Sequence, residues 1–362
     1  MPELPEVETV RAGLERLIVG ATIASVEPLQ PSSLRGDVAS ALGRRVLGAR
    51  RRGKVLIVDL QDGYSLVAHL KMTGQLVFRP ATAAASSAAS PAPARLGKAT
   101  GSSPDPVAAP TPATPSAHTA SGRAPGPAGP PPAGPAASAQ PLAPGPTAPP
   151  GAWGGGHPSD SLIGPLPDNS TRVIIGFADG ARLYFNDQRK FGWLAVMPTD
   201  QVEEIPLLAK MGPEPFEQEA WPEFRRRARR HQRAPVKAVL LDQSVVAGIG
   251  NIYADEALWA ARIHPETPVG ALSDRALKRL LEAAAEVMAL SLSLGGSTDR
   301  NYVDAEGRRG AYLDFAKVFR RQGQPCERCG RPILKTRVAG RGTHLCARCQ
   351  RRRPLAPPTP KP

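Results

Sequence analysis

The chain contains four cysteines, and their spacing is the pattern that most directly indicates a chemical site. Cys326 and Cys329 form one Cys-x2-Cys pair, Cys346 and Cys349 form another, and sixteen residues separate the pairs. Each pair can place two thiolates on one tight turn, and the segment between them is typical of a β-hairpin that returns the second pair to the first. The spacing therefore predicts one structural Zn²⁺ held by four sulfur ligands.

Two redox-active Cys-x2-Cys pairs are the alternative for this array. Such pairs stand at the start of a helix beside a sheet, and this segment does not offer that context. A Zn²⁺ with four protein ligands has no open coordination position, so we expect the site to be structural and not catalytic. The surface that it presents would then be the basic turn of the hairpin, with Arg337, Arg341 and His344.

A second group of reactive side chains lies at the amino terminus, where the chain begins MPELPEVE. Pro2 and Pro5 bracket Glu3, and Glu6 and Glu8 follow closely. By itself this octapeptide is typical of a helix start with acids in its first turn. It does not resemble an export signal, which would carry Lys or Arg at this point.

The segment VVAGIGNIYADEAL contains a Gly-x-Gly turn. A dinucleotide-binding loop is disfavoured because no strand immediately precedes the turn and the third glycine is absent. A glycine turn between two helices instead exposes backbone N–H groups and Asn251 toward an anion, as phosphate-binding turns do. An ordinary interhelical turn is the alternative.

The formal net charge of +14 favours a polyanionic partner such as nucleic acid. Basic runs at 44–54 and 225–233 carry much of this charge, and solvated helix faces are the alternative explanation for them. An anionic membrane surface is the competing partner, but no run of about 18 apolar residues is present to span a bilayer. We therefore expect a cytoplasmic protein without a membrane anchor.

The composition changes abruptly within the chain. Residues 80–158 are almost entirely Ala, Pro, Gly, Ser and Thr, which predicts a disordered insert because such a segment cannot bury a core. Strand patterns lie on both sides of it, after one helical pattern near the terminus. We therefore predict a single β-sandwich domain formed by 2–79 and 168–200.

The second half of the chain has a different periodicity. Residues 205–300 show helical spacing interrupted by Pro and Gly, which predicts a helical second domain. The cysteine hairpin is expected within 318–350, and 351–362 is expected to be a disordered tail.

Five segments together resemble the formamidopyrimidine-DNA glycosylase family of bacterial base-excision repair enzymes. They are PELPEVE, HLKMTG, DQRKFG, GIGNIYADEAL and the four-cysteine hairpin. The resemblance covers nearly the whole chain apart from the insert and the tail. It implies a two-domain α+β fold with an N-terminal β-sandwich and N-terminal helix, and a C-terminal helix-two-turn-helix domain that ends in a zinc-finger β-hairpin. It also implies a monomer that acts on damaged double-stranded DNA in the bacterial nucleoid.

The family's chemistry, carried over by this resemblance, gives the amino terminus a role. Pro2, exposed by removal of Met1, would attack deoxyribose C1′ and form a Schiff base, and β,δ-elimination would follow. Glu3 would act as the acid toward the sugar ring oxygen, and Glu6 would orient the terminal turn. The implied reaction removes 8-oxoguanine and formamidopyrimidines and then cleaves the strand.

Other roles are implied by position within the family's motifs. Lys54 would contact phosphate and serve the first elimination, Arg341 would serve the second, and Asn251 would bind phosphate. Phe319 stands where relatives often have a phosphate-binding tyrosine, and a histidine common before the strand TRVII is absent here.

The residues implied to contact the damaged duplex form two sets. Met72, Arg189 and Phe191 would fill the space left by the extruded nucleotide, with Arg189 reading the orphan cytosine. His69, Arg233 and Lys237 would face the DNA backbone or the lesion.

Two other functions remain open at this point. An endonuclease VIII-like glycosylase would share the fold and act on oxidised pyrimidines, but its chain usually begins Pro-Glu-Gly-Pro, whereas Leu4 is present here. A non-catalytic reader of damaged DNA would keep the zinc hairpin and the phosphate contacts. The presence of Pro2, Glu3 and Lys54 argues against that second alternative.

Overall fold

The structure is a computed structural model that describes residues 2–81, 153–156, 164–297 and 310–354, with the backbone alone described over 153–156. In chain order its strands are β1 (Ile23–Pro28), β2 (Leu34–Gly36), β3 (Val46–Arg52), β4 (Val55–Leu60), β5 (Tyr64–His69), β6 (Gly74–Arg79), β7 (Trp153–Gly156), β8 (Thr171–Phe177), β9 (Arg182–Asp187), β10 (Trp193–Pro198), β11 (Leu334–Val338) and β12 (Arg341–Leu345). Its α-helices are α1 (Leu4–Ile18), α2 (Pro206–Ala209), α3 (Ala220–Ala228), α4 (Val236–Leu241), α5 (Asn251–Ala260), α6 (Asp274–Ser293) and α7 (Tyr312–Phe315).

Two five-stranded sheets form the predicted β-sandwich. One sheet has the order β1-β8-β9-β6-β7 and the other the order β2-β10-β5-β4-β3. Neighbouring strands are antiparallel except for β2 and β10, which are parallel. Alternate side chains of both sheets meet in one core, for example Phe185 from β9 and Leu194 from β10.

Helix α1 connects the two halves of the molecule. Val7, Val10 and Leu14 recur at helical spacing and pack into the sandwich core. Leu4, at the first turn, belongs instead to the core of the helical half, and its N–H donates to the Gly248 carbonyl oxygen at 3.1 Å. The amino terminus is therefore held where the two cores meet.

Strand β4 is covered on both faces. Leu56 and Val58 face the sandwich core, whereas Val55 and Ile57 pack against a smaller cluster that includes Met211. Since both faces are buried, the start of β4 is fixed in position, and Lys54 directly precedes it.

The zinc hairpin of the prediction is the antiparallel pair β11 and β12. Val338 pairs with Arg341, so Ala339 and Gly340 form a two-residue turn, and both have positive φ, 48° and 75°. Positive φ at both turn residues matches the right-handed twist of the strands. Arg341 is thereby placed at the tip of the hairpin.

One part of the prediction for the insert is wrong. The stretch 80–158 was expected to be disordered throughout, but the backbone of Trp153–Gly156 forms β7, antiparallel to β6. The composition Trp-Gly-Gly-Gly resembles that of the linker around it, so the sequence does not distinguish this strand. Most of the remaining insert, and the tail after Pro354, lie outside the described residues, and the predicted domain limits stay predictions.

No helix in the described part of the chain is both long enough and apolar enough to cross a bilayer.

Candidate active site

A cavity of about 490 Å³ opens where α1, the turn before β4, the loop after β5, the start of α5 and the hairpin tip converge. These five segments are far apart in the sequence. Their predicted site residues in its lining are Glu3, Glu6, Lys54, His69, Met72, Asn251 and Arg341. Pro2 is buried beside Glu3 at the same point. The fold therefore brings together most of the residues that the sequence motifs singled out.

The carboxylate of Glu3 caps helix α5, an element almost 250 residues away in sequence. It accepts hydrogen bonds from the backbone N–H groups of Ile252 at 3.0 Å and Tyr253 at 3.4 Å. Burial raises the pKa of Glu3 to about 7, although the charge of Lys54 opposes the shift. The Glu3 carboxyl can therefore hold a proton near neutral pH and release it to a bound group.

Glu6 fixes the terminal turn through four hydrogen bonds. One carboxylate oxygen accepts from the backbone N–H of Glu3 at 2.8 Å. The other accepts from the hydroxyl of Tyr253 at 2.5 Å and from the N–H and hydroxyl of Ser297, both at 2.8 Å. Tyr253 and Ser297 were missed in the sequence because neither residue type nor spacing ties them to Glu6. Their contacts orient the backbone that carries Pro2 and Glu3.

Lys54 points into the cavity from the turn between β3 and β4. Its side chain is buried, and Nζ donates to the carbonyl oxygen of Ile249 at 2.8 Å. Burial lowers the pKa of Lys54 to about 8, while the nearby carboxylates of Glu3 and Glu6 oppose the shift. The ammonium group is thus charged at neutral pH, and it loses its proton as the pH rises through about 8.

The turn that presents Lys54 is held by a residue that sequence reasoning missed. Glu214 accepts from the backbone N–H of Gly53 at 2.7 Å, and the guanidinium of Arg51 donates to both of its carboxylate oxygens at 2.8 Å. Gly53 has a φ of 55°, and a Cβ there would lie 2.7 Å from Sδ of Met211. Both the conformation and the close approach favour glycine.

Gly250 lies against the Glu3 carboxyl. A substitution at Gly250 therefore tests how precisely this carboxyl must be positioned. A Cβ added at Gly250 would lie 2.2 Å from Cδ of Glu3. The family resemblance implies that Glu3 is the acid in base release. On that role we expect Gly250→Ala to displace the carboxyl and to lower the single-turnover rate by about 100-fold, because misplacement of a catalytic group by about 1 Å costs that much. Gly48→Ala is the control, since a Cβ at Gly48 would have no neighbour within 4 Å. An unchanged rate in Gly250→Ala would contradict the assigned position of the acid.

The tip of the hairpin is anchored to two helices. Asn251, at the start of α5, donates from Nδ2 to the Gly342 carbonyl oxygen at 3.0 Å. Lys237, from α4, donates from Nζ to the same oxygen at 2.9 Å and to the Thr343 hydroxyl at 2.7 Å. These contacts fix the residues that immediately follow Arg341.

The expectation that Lys237 faces DNA is wrong. Its side chain is fully buried, and Nζ lies 2.6 Å from Oδ1 of Asp255, which is also fully buried. Oδ2 of Asp255 accepts from the backbone N–H of His344 at 2.8 Å. The sequence shows a cation near other cations, but the carboxylate that pairs with it lies on another helix. Lys237 therefore helps to position the hairpin.

The predicted wedge residues form one exposed group, of which Met72 also lines the cavity. Met72 and Phe191 are 38% and 54% exposed, which is unusual for large apolar side chains. The guanidinium of Arg189 lies between them, with Nη1 3.1 Å from Met72 Sδ and Cζ 5.0 Å from the Phe191 ring centroid. Exposed apolar groups beside a cation can enter a base stack.

A buried aspartate holds the two loops that carry this group. Asp187 accepts from the Thr73 hydroxyl and from the backbone N–H of Arg189 through Oδ1, and from the N–H of Gly192 at 2.6 Å through Oδ2. Asp187 begins the motif DQRKFG, two residues before Arg189. This proximity in the sequence could have identified Asp187 as the residue that positions the loop.

His69 and Arg233 have different surroundings. His69 lines the cavity, its Nδ1 accepts from the Lys71 N–H at 3.0 Å, and burial lowers its pKa to about 3, so it is neutral there. Arg233 is exposed and is not part of the cavity lining. The structure places His69 in the wall of the cavity and leaves Arg233 on the outer surface.

The four cysteines converge at the base of the hairpin. All four Sγ atoms lie within 4.8 Å of one another, with Cys326 and Cys349 3.9 Å apart and Cys329 and Cys346 3.4 Å apart. A tetrahedral Zn²⁺ with Zn–S bonds of about 2.3 Å needs sulfurs separated by about 3.8 Å. The four thiolates therefore fit one structural Zn²⁺.

Three family models match the chain in order. Residues 1–103 match the formamidopyrimidine-DNA glycosylase N-terminal domain, 211–302 match the formamidopyrimidine-DNA glycosylase H2TH domain, and 323–352 match the zinc finger found in FPG and IleRS. Together these models cover both halves of the cavity and the cysteine hairpin.

Relatives of known name span almost the whole chain. The formamidopyrimidine-DNA glycosylase of Thermus thermophilus is 36% identical over 353 residues, covering 97% of this chain and 98% of the relative. That of Pelotomaculum thermopropionicum is 32% identical over 356 residues, covering 97% and 99%.

Solved structures also match almost the whole chain. The MutM (FPG) protein of Thermus thermophilus has a TM-score of 0.68 at 34% identity, covering 98% of this chain and 100% of that chain. A Lactococcus lactis FPG variant in complex with Fapy-dG containing DNA also has a TM-score of 0.68, at 29% identity, covering 97% and 100%.

Proposed function

Because this chain belongs to the formamidopyrimidine-DNA glycosylase family, we propose that it removes oxidised purines from duplex DNA and then cleaves the abasic strand. The observation that carries the proposal is the convergence of the Pro2-Glu3 terminus, Lys54, Asn251 and Arg341 at one cavity. That set combines a terminal amine, an acid that can hold a proton, and groups that bind phosphate.

The first step is base release. After removal of Met1, the secondary amine of Pro2 attacks C1′ of the damaged nucleotide. The bond from C1′ to the base breaks with its electron pair leaving on the base, and the base takes up the proton that the Pro2 nitrogen loses. The Glu3 carboxyl gives its proton to the sugar ring oxygen, and the ring opens as the iminium forms between Pro2 and C1′. The raised pKa of Glu3, about 7, supports this role because the acid must be protonated before the step.

The second step is strand cleavage. The iminium withdraws electrons from the sugar, so that a proton is lost from C2′ and the 3′ phosphate leaves. A second elimination releases the 5′ phosphate and leaves a gap of one nucleotide. Lys54 serves the first elimination and Arg341 the second, and both line the cavity that holds the terminus.

DNA must present the damaged nucleotide outside the helix for this chemistry. Met72, Arg189 and Phe191 fill the space that the extruded nucleotide leaves, and Arg189 pairs with the cytosine opposite the lesion. Their exposure and mutual contacts support this assignment. Asn251 binds a backbone phosphate. We further propose that the protein acts as a monomer at the bacterial nucleoid.

A duplex with 8-oxoguanine opposite cytosine tests the proposed function. We expect the labelled strand to be cut at the lesion, leaving phosphate at both ends of the gap. Faster cutting of a duplex with an oxidised pyrimidine would favour the endonuclease VIII-like alternative. Tight binding without any cutting would indicate a non-catalytic reader of damage.

Removal of zinc should affect DNA binding more than folding of the sandwich. The hairpin packs on a small cluster of its own around Cys326 and Cys346, separate from the sandwich core. Its tip, however, carries Arg341 into the cavity. We expect one zinc per chain, and we expect chelation to abolish binding to lesion-containing duplex while β-sheet circular dichroism is retained. Freshly purified protein without zinc, or chelated protein with full DNA affinity, would contradict this expectation.

A further inference from the structure

Five arginines line a second concavity, of about 410 Å³, at the base of the zinc hairpin. Apart from them, Cys349 is the only lining residue within the described part of the chain. We call this concavity the arginine cleft, and its residues are Arg262, Arg328, Arg348, Arg351 and Arg353.

The arginine cleft is separate from the candidate active site. The two concavities share no lining residue among those that the structure describes. Asn251 begins α5 beside the active site, whereas Arg262 follows the other end of that helix, and ten helical residues span about 15 Å. On the hairpin, Arg341 begins β12 at the active site and Arg348 lies beyond its far end. The hairpin thus carries basic groups at both ends.

One of the five arginines has a structural role. Arg328 donates to the carbonyl oxygen of Trp259 at 2.5 Å and of Ala260 at 3.2 Å, and its Cζ lies 3.6 Å from the Trp259 ring centroid. It therefore caps the carboxyl end of α5. The other four are exposed, and their guanidinium groups make no hydrogen bond or ion pair with any residue that the structure describes; they are Arg262, Arg348, Arg351 and Arg353.

The surrounding charges do not balance the arginine cleft. Glu266 lies nearby, but it pairs with Arg352, which is outside the cleft, at 3.5 Å. Four cysteine thiolates around one Zn²⁺ would contribute two negative charges, fewer than the five positive charges of the cleft. Like charges held together repel one another, so this arrangement favours an anionic partner.

We infer that the arginine cleft binds the phosphodiester backbone of duplex DNA, as a second contact outside the active site. Guanidinium groups bind phosphate through paired N–H donors. A peptide would normally be anchored by large apolar or aromatic side chains. The described residues that line the cleft, five arginines and Cys349, include none. The phosphates can belong to the flank of the duplex held in the active site or to a second duplex. The inference goes beyond the proposed catalysis, because it requires only undamaged DNA.

The salt dependence of DNA binding tests the inference in the full-length, zinc-loaded protein. The test variant is Arg351→Gln with Arg353→Gln, after the last strand of the hairpin. The matched control is Arg182→Gln with Arg275→Gln, which removes the same charge from exposed positions outside both concavities. The probe is a lesion-free duplex of about 40 base pairs, and the slope of log affinity against log salt should become shallower by about 0.9 for each phosphate that the protein no longer binds.

Two results support the inference and identify the source of the phosphates. If the flank of the same duplex binds, the slope for the test variant falls by between about 0.9 and 1.8, and the control variant keeps the wild-type slope. If a second duplex binds, the slope for one duplex is unchanged, but unlabelled duplex no longer accelerates dissociation of labelled duplex, as it does for wild type and control.

Other results overturn the inference. These are a test variant that matches wild type in both measurements, and a control variant that shows the same loss as the test variant. Zinc content and melting temperature show whether both variants are folded. Because the probe carries no lesion, a protein that fails to excise 8-oxoguanine would leave this test intact.

Discussion

We expect Glu3→Gln to lower the rate of base release by about 100-fold or more, which is the usual contribution of a general acid. The glutamine oxygen can still accept from the N–H of Ile252, the shorter of the two contacts, so the terminus should keep its place. It has no proton to give to the sugar ring oxygen. Affinity for lesion-containing duplex should therefore stay close to wild type in a binding titration, while single-turnover base release is lost.

The pH dependence provides a second readout for Glu3. Its pKa is raised to about 7, so the carboxyl is protonated below that pH and loses its proton as pH rises through it. Base release by wild type should accordingly fall above pH 7. Glu27→Gln, at an exposed position on β1, is the charge control and should follow the wild-type profile. A Glu3→Gln variant that releases the base at the wild-type rate would exclude the carboxyl as the acid.

The second large effect is expected for Lys54→Met, which keeps a flexible apolar side chain but removes the ammonium group. The carbonyl oxygen of Ile249 loses a donor, and the Glu3 and Glu6 carboxylates lose the cation that opposes their mutual repulsion. We expect strand cleavage at a preformed abasic site to fall by about 100-fold, measured with saturating protein in a single turnover.

Lys278→Met, on an exposed position of α6, is the control for loss of one positive charge. It should cleave the abasic site as wild type does. The assigned role of Lys54 would be wrong if Lys54→Met cleaved at the control rate while remaining folded.

The sequence predicted those parts of the site whose chemistry is local. The cysteine spacing predicts the ligand cluster because each pair occupies a single turn, and the converging sulfurs bear this out. Arg189 and Phe191 stand two residues apart in one loop motif, and their entry into the base stack stays a prediction. In each case the residue types and their near neighbours carried the information.

The parts that could not be predicted depend on contacts between distant segments. Glu6 bonds to Ser297, Gly53 to Glu214, and Lys237 to Asp255 on another helix. Each pair joins segments that meet only after the two cores form. No local hydrophobic periodicity or residue spacing therefore predicts the contact. Strand β7 was missed for a related reason, since its partner β6 lies far away in the sequence.

The buried terminus also explains why the site needs both halves of the molecule. Leu4 packs in the helical core while Val7 and Val10 pack in the sandwich, so the turn between them cannot move independently of either. Glu3 is thereby held against α5, and Pro2 next to it.

The central claim is that the amine of Pro2 is the nucleophile, and borohydride trapping tests it most directly. The protein is incubated with a duplex containing 8-oxoguanine opposite cytosine, the iminium is reduced, and the crosslinked peptide is identified by mass spectrometry. We predict a covalent adduct on the amino-terminal peptide, at Pro2, with Met1 absent. An adduct on Lys54, or full trapping by a variant that lacks Pro2, would contradict the account.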